Sequence, residues 1–87
     1  MSDPLVVRAF DVRVNSFQGS TILVRDRDVY ELGEVEELIW SLCDGGHTLT
    51  QIASAVAEQF EVDAVTAESD VRGFVEELLH DKLVEPA

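Results

Sequence analysis

The sequence predicts an α+β fold, winged helix-turn-helix-like, with a three-stranded antiparallel β-sheet followed by three α-helices. Three observations predict it. The first third is rich in β-branched and apolar residues interrupted by short turns, the rest carries apolar residues at helical spacing, and tight polar turns join the segments. No repeat, linker or low-complexity stretch divides the 87 residues. One domain is therefore expected over 1–87, with strands across about 5–32 and helices across about 34–43, 49–60 and 64–82.

The strands come first. Leu5–Val14 places Val6, Val7, Phe10, Val12 and Val14 among charged residues, a loose strand pattern. Ser16-Phe-Gln-Gly19 has turn chemistry, and Ser20–Arg25 then runs Thr21, Ile22, Leu23 and Val24 without a break. Asp26-Arg27-Asp28 makes a second turn, after which Val29–Leu32 resumes as a short strand. Connections this short favour an antiparallel meander.

The helices are marked by period and by caps. In Glu34–Cys43, Val35, Leu38, Ile39 and Leu42 fall at i, i+3, i+4 and i+7, and Asp44-Gly45-Gly46 reads as the stop. Thr48-Leu-Thr-Gln51 matches a capping box that opens a second helix with Leu49, Ile52, Ala53, Val56 and Phe60 on one face. Asp63 or Thr66 can cap a third, where Val71, Phe74, Val75, Leu78 and Leu79 repeat the spacing. His80 and Lys82 suit the negative end of its macrodipole.

Composition limits function. Eighteen acidic residues against six basic ones give a net charge of −12. Residues 1–32 are nearly balanced, with four arginines against five acids, whereas residues 33–87 set Arg72 and Lys82 against thirteen acids. A phosphate backbone would be repelled by that half, and the third helix would meet DNA with the wrong sign. Nucleic acid is not an expected partner. A membrane is not one either, because no apolar run approaches the roughly 18 residues a span needs. The single cysteine forbids an intrachain disulfide, and with no secretory signal at the N-terminus a cytoplasmic location is expected.

Catalytic and metal constellations are missing from the pattern. Cys43 and His47 flank a glycine pair that ends a helix, and Cys43 sits beside the apolar face as a small hydrophobe. His47 and His80 belong to no ligand spacing. Adjacent carboxylates such as Glu36-Glu37 and Glu76-Glu77 point in different directions on a helix. None of the serines stands in the Asp-Ser-Leu context of an acyl carrier protein. No enzyme activity, cofactor or metal is expected.

Four blocks, taken in order, resemble the PqqD-type family, recognition elements for ribosomally made, post-translationally modified peptides. They are Val29-Tyr-Glu-Leu32, Ile39-Trp-Ser-Leu-Cys-Asp-Gly45, Thr48-Leu-Thr-Gln-Ile-Ala53, and Ala67-Glu-Ser-Asp-Val-Arg-Gly-Phe74 with Leu78 and Leu83-Val84. Gly33-Glu34 stands where the family has Asn-x-Thr-Gly, and the segment before Ser20 matches poorly. The resemblance implies that a precursor's leader peptide adds as a further antiparallel strand along the third strand, in a groove against the third helix. The edge would be Asp28, Val29, Tyr30, Glu31 and Leu32, with Tyr30 and Leu32 turned inward and Glu31 outward. The helical wall would be Asp70, Val71, Phe74, Val75 and Leu78. The implied partners are that leader and a modifying enzyme or leader peptidase of the same pathway, a lasso-type protease or a radical enzyme among them. The competing reading is a winged-helix transcriptional regulator or adaptor acting through protein contacts.

Overall fold

A computed structural model describes residues 5–87. In chain order it runs β1 (Leu5–Arg8), β2 (Arg13–Phe17), β3 (Ser20–Arg25), β4 (Asp28–Leu32), α1 (Glu34–Leu42), β5 (Asp44–Thr48), α2 (Leu49–Phe60), α3 (Ala64–His80) and β6 (Val84–Pro86). The α+β class is as read, with a three-stranded antiparallel sheet, β2-β3-β4, followed by three helices. The strand count is higher than expected. β1 leaves the meander and forms a second antiparallel sheet in the order β5-β1-β6.

The split of Leu5–Val14 has a local cause. Ala9 N–H donates to the Leu83 carbonyl and Val12 N–H to the Ala9 carbonyl, so the chain turns away after β1 and restarts as β2. β2 is exposed along its whole length, and Leu23 at the centre of β3 is fully buried. The hairpin is thus held to the core mainly through β3.

The glycines after α1 do more than stop a helix. The C-cap is Cys43, whose N–H bonds the Trp40 carbonyl, and Asp44-Gly45-Gly46-His47-Thr48 is strand β5. Leu5 pairs with Thr48 and Val7 with Asp44, so two steps along β1 meet four along β5. That surplus is a bulge, and Gly45 at φ +80° supplies the left-handed residue it requires. Asp44 Oδ1 accepts from Gly46 N–H at 2.8 Å and faces His47 Nδ1 at 2.9 Å, which braces the bulge. These bonds hold the Asp44 carboxyl below its usual range, the His47 bond contributing most.

Helix α1 is rotated from the face its period suggests. Ile39, Trp40 and Cys43 are buried, while Val35, Leu38 and Leu42 are only partly covered. The presence of β1 and β5 explains it, since this second sheet offers Trp40 and Cys43 a partner that a lone meander would not. The Thr48 capping box forms, with Gln51 N–H donating to Thr48 Oγ1 at 3.1 Å and Thr48 N–H to Gln51 Oε1 at 2.8 Å. Asp63, rather than Thr66, caps α3 and accepts from both the Thr66 N–H and hydroxyl. The last residues expected in α3 lie beyond its end. Lys82 adopts φ +59°, its N–H bonds the Leu79 carbonyl and Leu83 N–H bonds the Leu78 carbonyl, a Schellman closure with Leu78 and Leu83 buried together.

Gly73 is the one glycine inside a helix, at an exposed position, and a Cβ there would meet nothing within 4 Å. Gly73→Ala is therefore expected to stabilise the fold by about 0.5–1 kcal/mol, read as a higher urea midpoint at unchanged slope.

Candidate functional site

The strand expected to be third in the sheet is fourth in the chain and occupies an outer position, paired only with β3 among the described residues. Every second residue of such a strand turns its N–H and C=O away from its neighbour, so β4 offers backbone donors and acceptors to an incoming chain. Its side chains alternate as the pleat demands. Leu32 is buried, Tyr30 is half-buried, and Val29 (61% exposed) and Glu31 face solvent.

Opposite this edge runs α3. A cleft of about 200 Å³ is lined by Leu23, Tyr30, Glu31, Leu32, Phe74, Glu77, Leu78, Asp81 and Leu83. A second hollow of about 390 Å³ shares Phe74 and Glu77 with it and continues to Asp70, Val35, Glu36 and Ile39. The first lies between the β4 edge and α3; the second continues it between α1 and α3, away from β4, and the two meet at Phe74 and Glu77 over an apolar floor. A larger hollow of about 490 Å³ is lined by residues such as Gly19, Leu38, Gln59 and Phe60. No β4 residue lines it, so it presents no open strand, and volume alone does not mark a peptide site.

Of the residues expected at the site, Tyr30, Glu31, Leu32, Phe74 and Leu78 line the first cleft, and Asp70 lines its continuation. Asp28 and Val29 line neither and contribute the exposed start of the strand. Val71 and Val75 correct the expectation. They are 0% and 1% exposed and belong to the core beneath the groove. One residue along a helix is a turn of about 100°, so the stripe that faces the groove is Asp70, Phe74, Glu77 and Asp81, offset by one from the buried stripe. Glu77 and Asp81 line the cleft and were not among the residues expected from the sequence. Continuing from Asp70 and Phe74 in steps of three and four finds both.

The groove is electrically one-sided. Glu31, Glu36, Asp70, Glu77 and Asp81 line it, and no lysine or arginine does. Tyr30 registers this field. Partial burial raises its phenol pKa above the ordinary value, and the charges of Asp28 and Asp81 add to that against the pull of Arg25. The phenol therefore stays a hydrogen-bond donor at neutral pH.

The family model of coenzyme PQQ synthesis protein D, PqqD, matches residues 20–84. The chain belongs to the PqqD family. The match begins at the first residue of β3 and takes in β4, all three helices and the groove between them, leaving out β1 and β2. No curated protein matches the chain significantly. Two solved structures share the PqqD-like fold. TbiB1 in complex with the TbiA(beta) leader peptide is 26% identical over 91% of this chain and 94% of that one, with a TM-score of 0.78. The PqqD truncation of Methylobacterium extorquens PqqCD, described as a functional, stand-alone recognition element, is 19% identical over 93% and 88%, with a TM-score of 0.77; it bears on the fold alone.

Cys43 is the residue with nucleophilic chemistry whose placement decides its role. It is fully buried, its Sγ–H donates to the Ile39 carbonyl at 3.2 Å, and burial pushes its pKa up to about 11. A thiol so placed is protonated and out of reach at neutral pH. Among the described residues no three His, Cys, Asp or Glu side chains gather in a way that could hold a metal ion, and no helix is long and apolar enough to cross a membrane. Native protein treated with iodoacetamide at pH 8 is expected to stay unlabelled at Cys43, and urea-unfolded protein to label fully. Because the folded pKa lies above the starting value of 9.0, the stability this thiol contributes is complete below pH 9. It is lost as pH rises from there towards 11.

Proposed function

We propose that this chain is a non-catalytic module that captures the leader peptide of a ribosomally synthesised, post-translationally modified precursor. The leader adds as an antiparallel strand to β4, and the module presents it to a separate modifying enzyme or leader peptidase. The observation that carries this reading is the open β4 edge set against the Phe74–Leu78 face of α3, with an apolar floor between them. TbiB1, which shares the fold at 26% identity, was solved with a leader peptide, which supports a leader peptide as the ligand here.

The physics suits a leader that must be held but not altered. Main-chain hydrogen bonds to β4 supply affinity that tolerates sequence change, and the groove selects through every second side chain. Each such bond contributes about 0.5–1.5 kcal/mol net, so a strand of a few residues needs the apolar floor as well to reach useful affinity. Phe74 and Leu78 supply that floor from the helix, Tyr30 and Leu32 from the strand. The proposed site is therefore Asp28–Leu32 with Asp70, Phe74 and Leu78, backed by Val71 and Val75.

Titration of 15N-labelled protein with the leader peptide of its cognate precursor is expected to shift the amides of 28–32 and of 70–81 and to leave α2 unmoved. N-methylation of alternate leader residues should abolish binding while keeping every side chain. Phe74→Ala, which also removes packing on the core and so lowers the melting temperature, should weaken binding by the still-folded protein about tenfold or more. Saturable binding that ignores N-methylation would rule out strand addition.

A further inference from the structure

The groove's charge identifies the kind of strand it takes. Asp70, Phe74, Glu77 and Asp81 lie in one stripe along α3, and both hollows are lined from this stripe. From Asp70 to Asp81 the helix rises about 16 Å, which an extended chain covers in about five residues; β4 itself meets the Phe74–Asp81 part, through Tyr30, Glu31 and Leu32. The span from Glu77 to Asp81, about 6 Å, is one step between alternate residues of a strand. Glu31 and Glu36 close the acidic rim from β4 and α1.

Three of the arginines are engaged by other groups, Arg25 at the groove's own end beside Asp81. Arg25 Nη1 donates to the Asp81 carbonyl at 2.9 Å, Nη2 donates to the Lys82 carbonyl, and Nε lies 3.4 Å from Asp11 Oδ2. Arg72 pairs with Glu68 at 3.2 Å, and Arg8 is committed to the Trp40 and Ser41 carbonyls. A strand entering the groove thus brings its own side chains between an apolar floor and carboxylates with no lysine or arginine among the lining residues.

We infer that the segment captured at β4 is basic. Lys or Arg stands at its inward positions opposite Asp70 and opposite Glu77–Asp81, with an apolar residue between them on Phe74. This rests on the strand-addition reading above, and the test separates the two. Three synthetic peptides of about ten residues share the same apolar residues and carry Lys, Gln or Glu at the alternate positions. Each is titrated into the wild-type protein and into the triple variant Asp70→Asn, Glu77→Gln, Asp81→Asn, whose three positions are exposed, with amide shifts followed throughout.

The expected result is Lys-peptide binding at the β4 amides about tenfold tighter than the Gln peptide, the scale three partly exposed charge pairs supply. The Glu peptide should be weaker still. The Lys preference should shrink in high salt and collapse in the triple variant. If all three peptides shift the β4 amides with equal affinity, strand capture stands and the basic preference falls. If the Lys preference persists in the triple variant, it reflects only the net charge of −12, and the inference is overturned. If no peptide moves the β4 amides, strand addition at this edge falls and the inference with it.

Discussion

The groove keeps its width because Arg25 ties the sheet to the end of α3. The residue closes β3, and its guanidinium spans the carbonyls of Asp81 and Lys82, groups a helix C-terminus leaves without intrahelical donors. A cation there also complements the helix dipole, and the Asp11 carboxylate balances it on the other side. Arg8 does the same for α1, donating from β1 to the Trp40 and Ser41 carbonyls, at the end of a helix with no basic residue in its last turn. Two of the four arginines in the first third of the chain are thus helix caps supplied from strands. The lopsided charge along the sequence follows in part from this, since strand arginines serve helices that carry almost none of their own.

With α3 anchored at that end, its two neighbouring stripes do different work. Ala67, Val71, Val75 and Leu78 are buried and fix the helix against the core. The stripe one residue away faces the β4 edge across an apolar floor. Rigid backing matters for strand addition, because a groove that must first assemble spends binding energy on ordering itself. An edge strand left open is also an aggregation hazard. Here the acidic rim offsets the hazard, since a second copy brought edge to edge would set Glu31 and its neighbours against their own kind.

Much of this was legible in the residues, and the rest failed for identifiable reasons. The three helices could be read because their apolar spacing, the Thr48 capping box and the Asp63 cap all agree. Strands β3 and β4 could be read because Thr21–Val24 and Val29–Leu32 have strand composition between turns. Strand β5 could not: Asp44-Gly-Gly-His-Thr48 has no strand propensity, and it is extended because β1 pairs with it across a bulge. β6 is three residues ending at Pro86, again made by pairing with β1. Non-local partners override local preference in both cases. At the candidate site, the expected wall on α3 includes Val71 and Val75, which the structure buries one residue away from the stripe that lines the hollows. Apolar period marks the buried face most strongly, and a groove stripe that mixes Asp, Phe and Glu has no period of its own.

That mixture is what the proposed strand capture calls for. A purely apolar stripe beside an open strand would accept almost any extended hydrophobic segment, including β-prone stretches of unfolded chains. A purely charged one would have no floor against which to dehydrate the new main-chain hydrogen bonds. Placing Phe74 between Asp70 and Glu77 gives an apolar centre with charged flanks, so a captured strand would draw most of its affinity from the backbone and the apolar contact. Discrimination then arises at the rim, where each added or missing charge changes affinity by a modest factor without unmaking the strand. Such a division would suit the proposed capture, which needs a grip firm enough to hold an extended segment and weak enough to let it go.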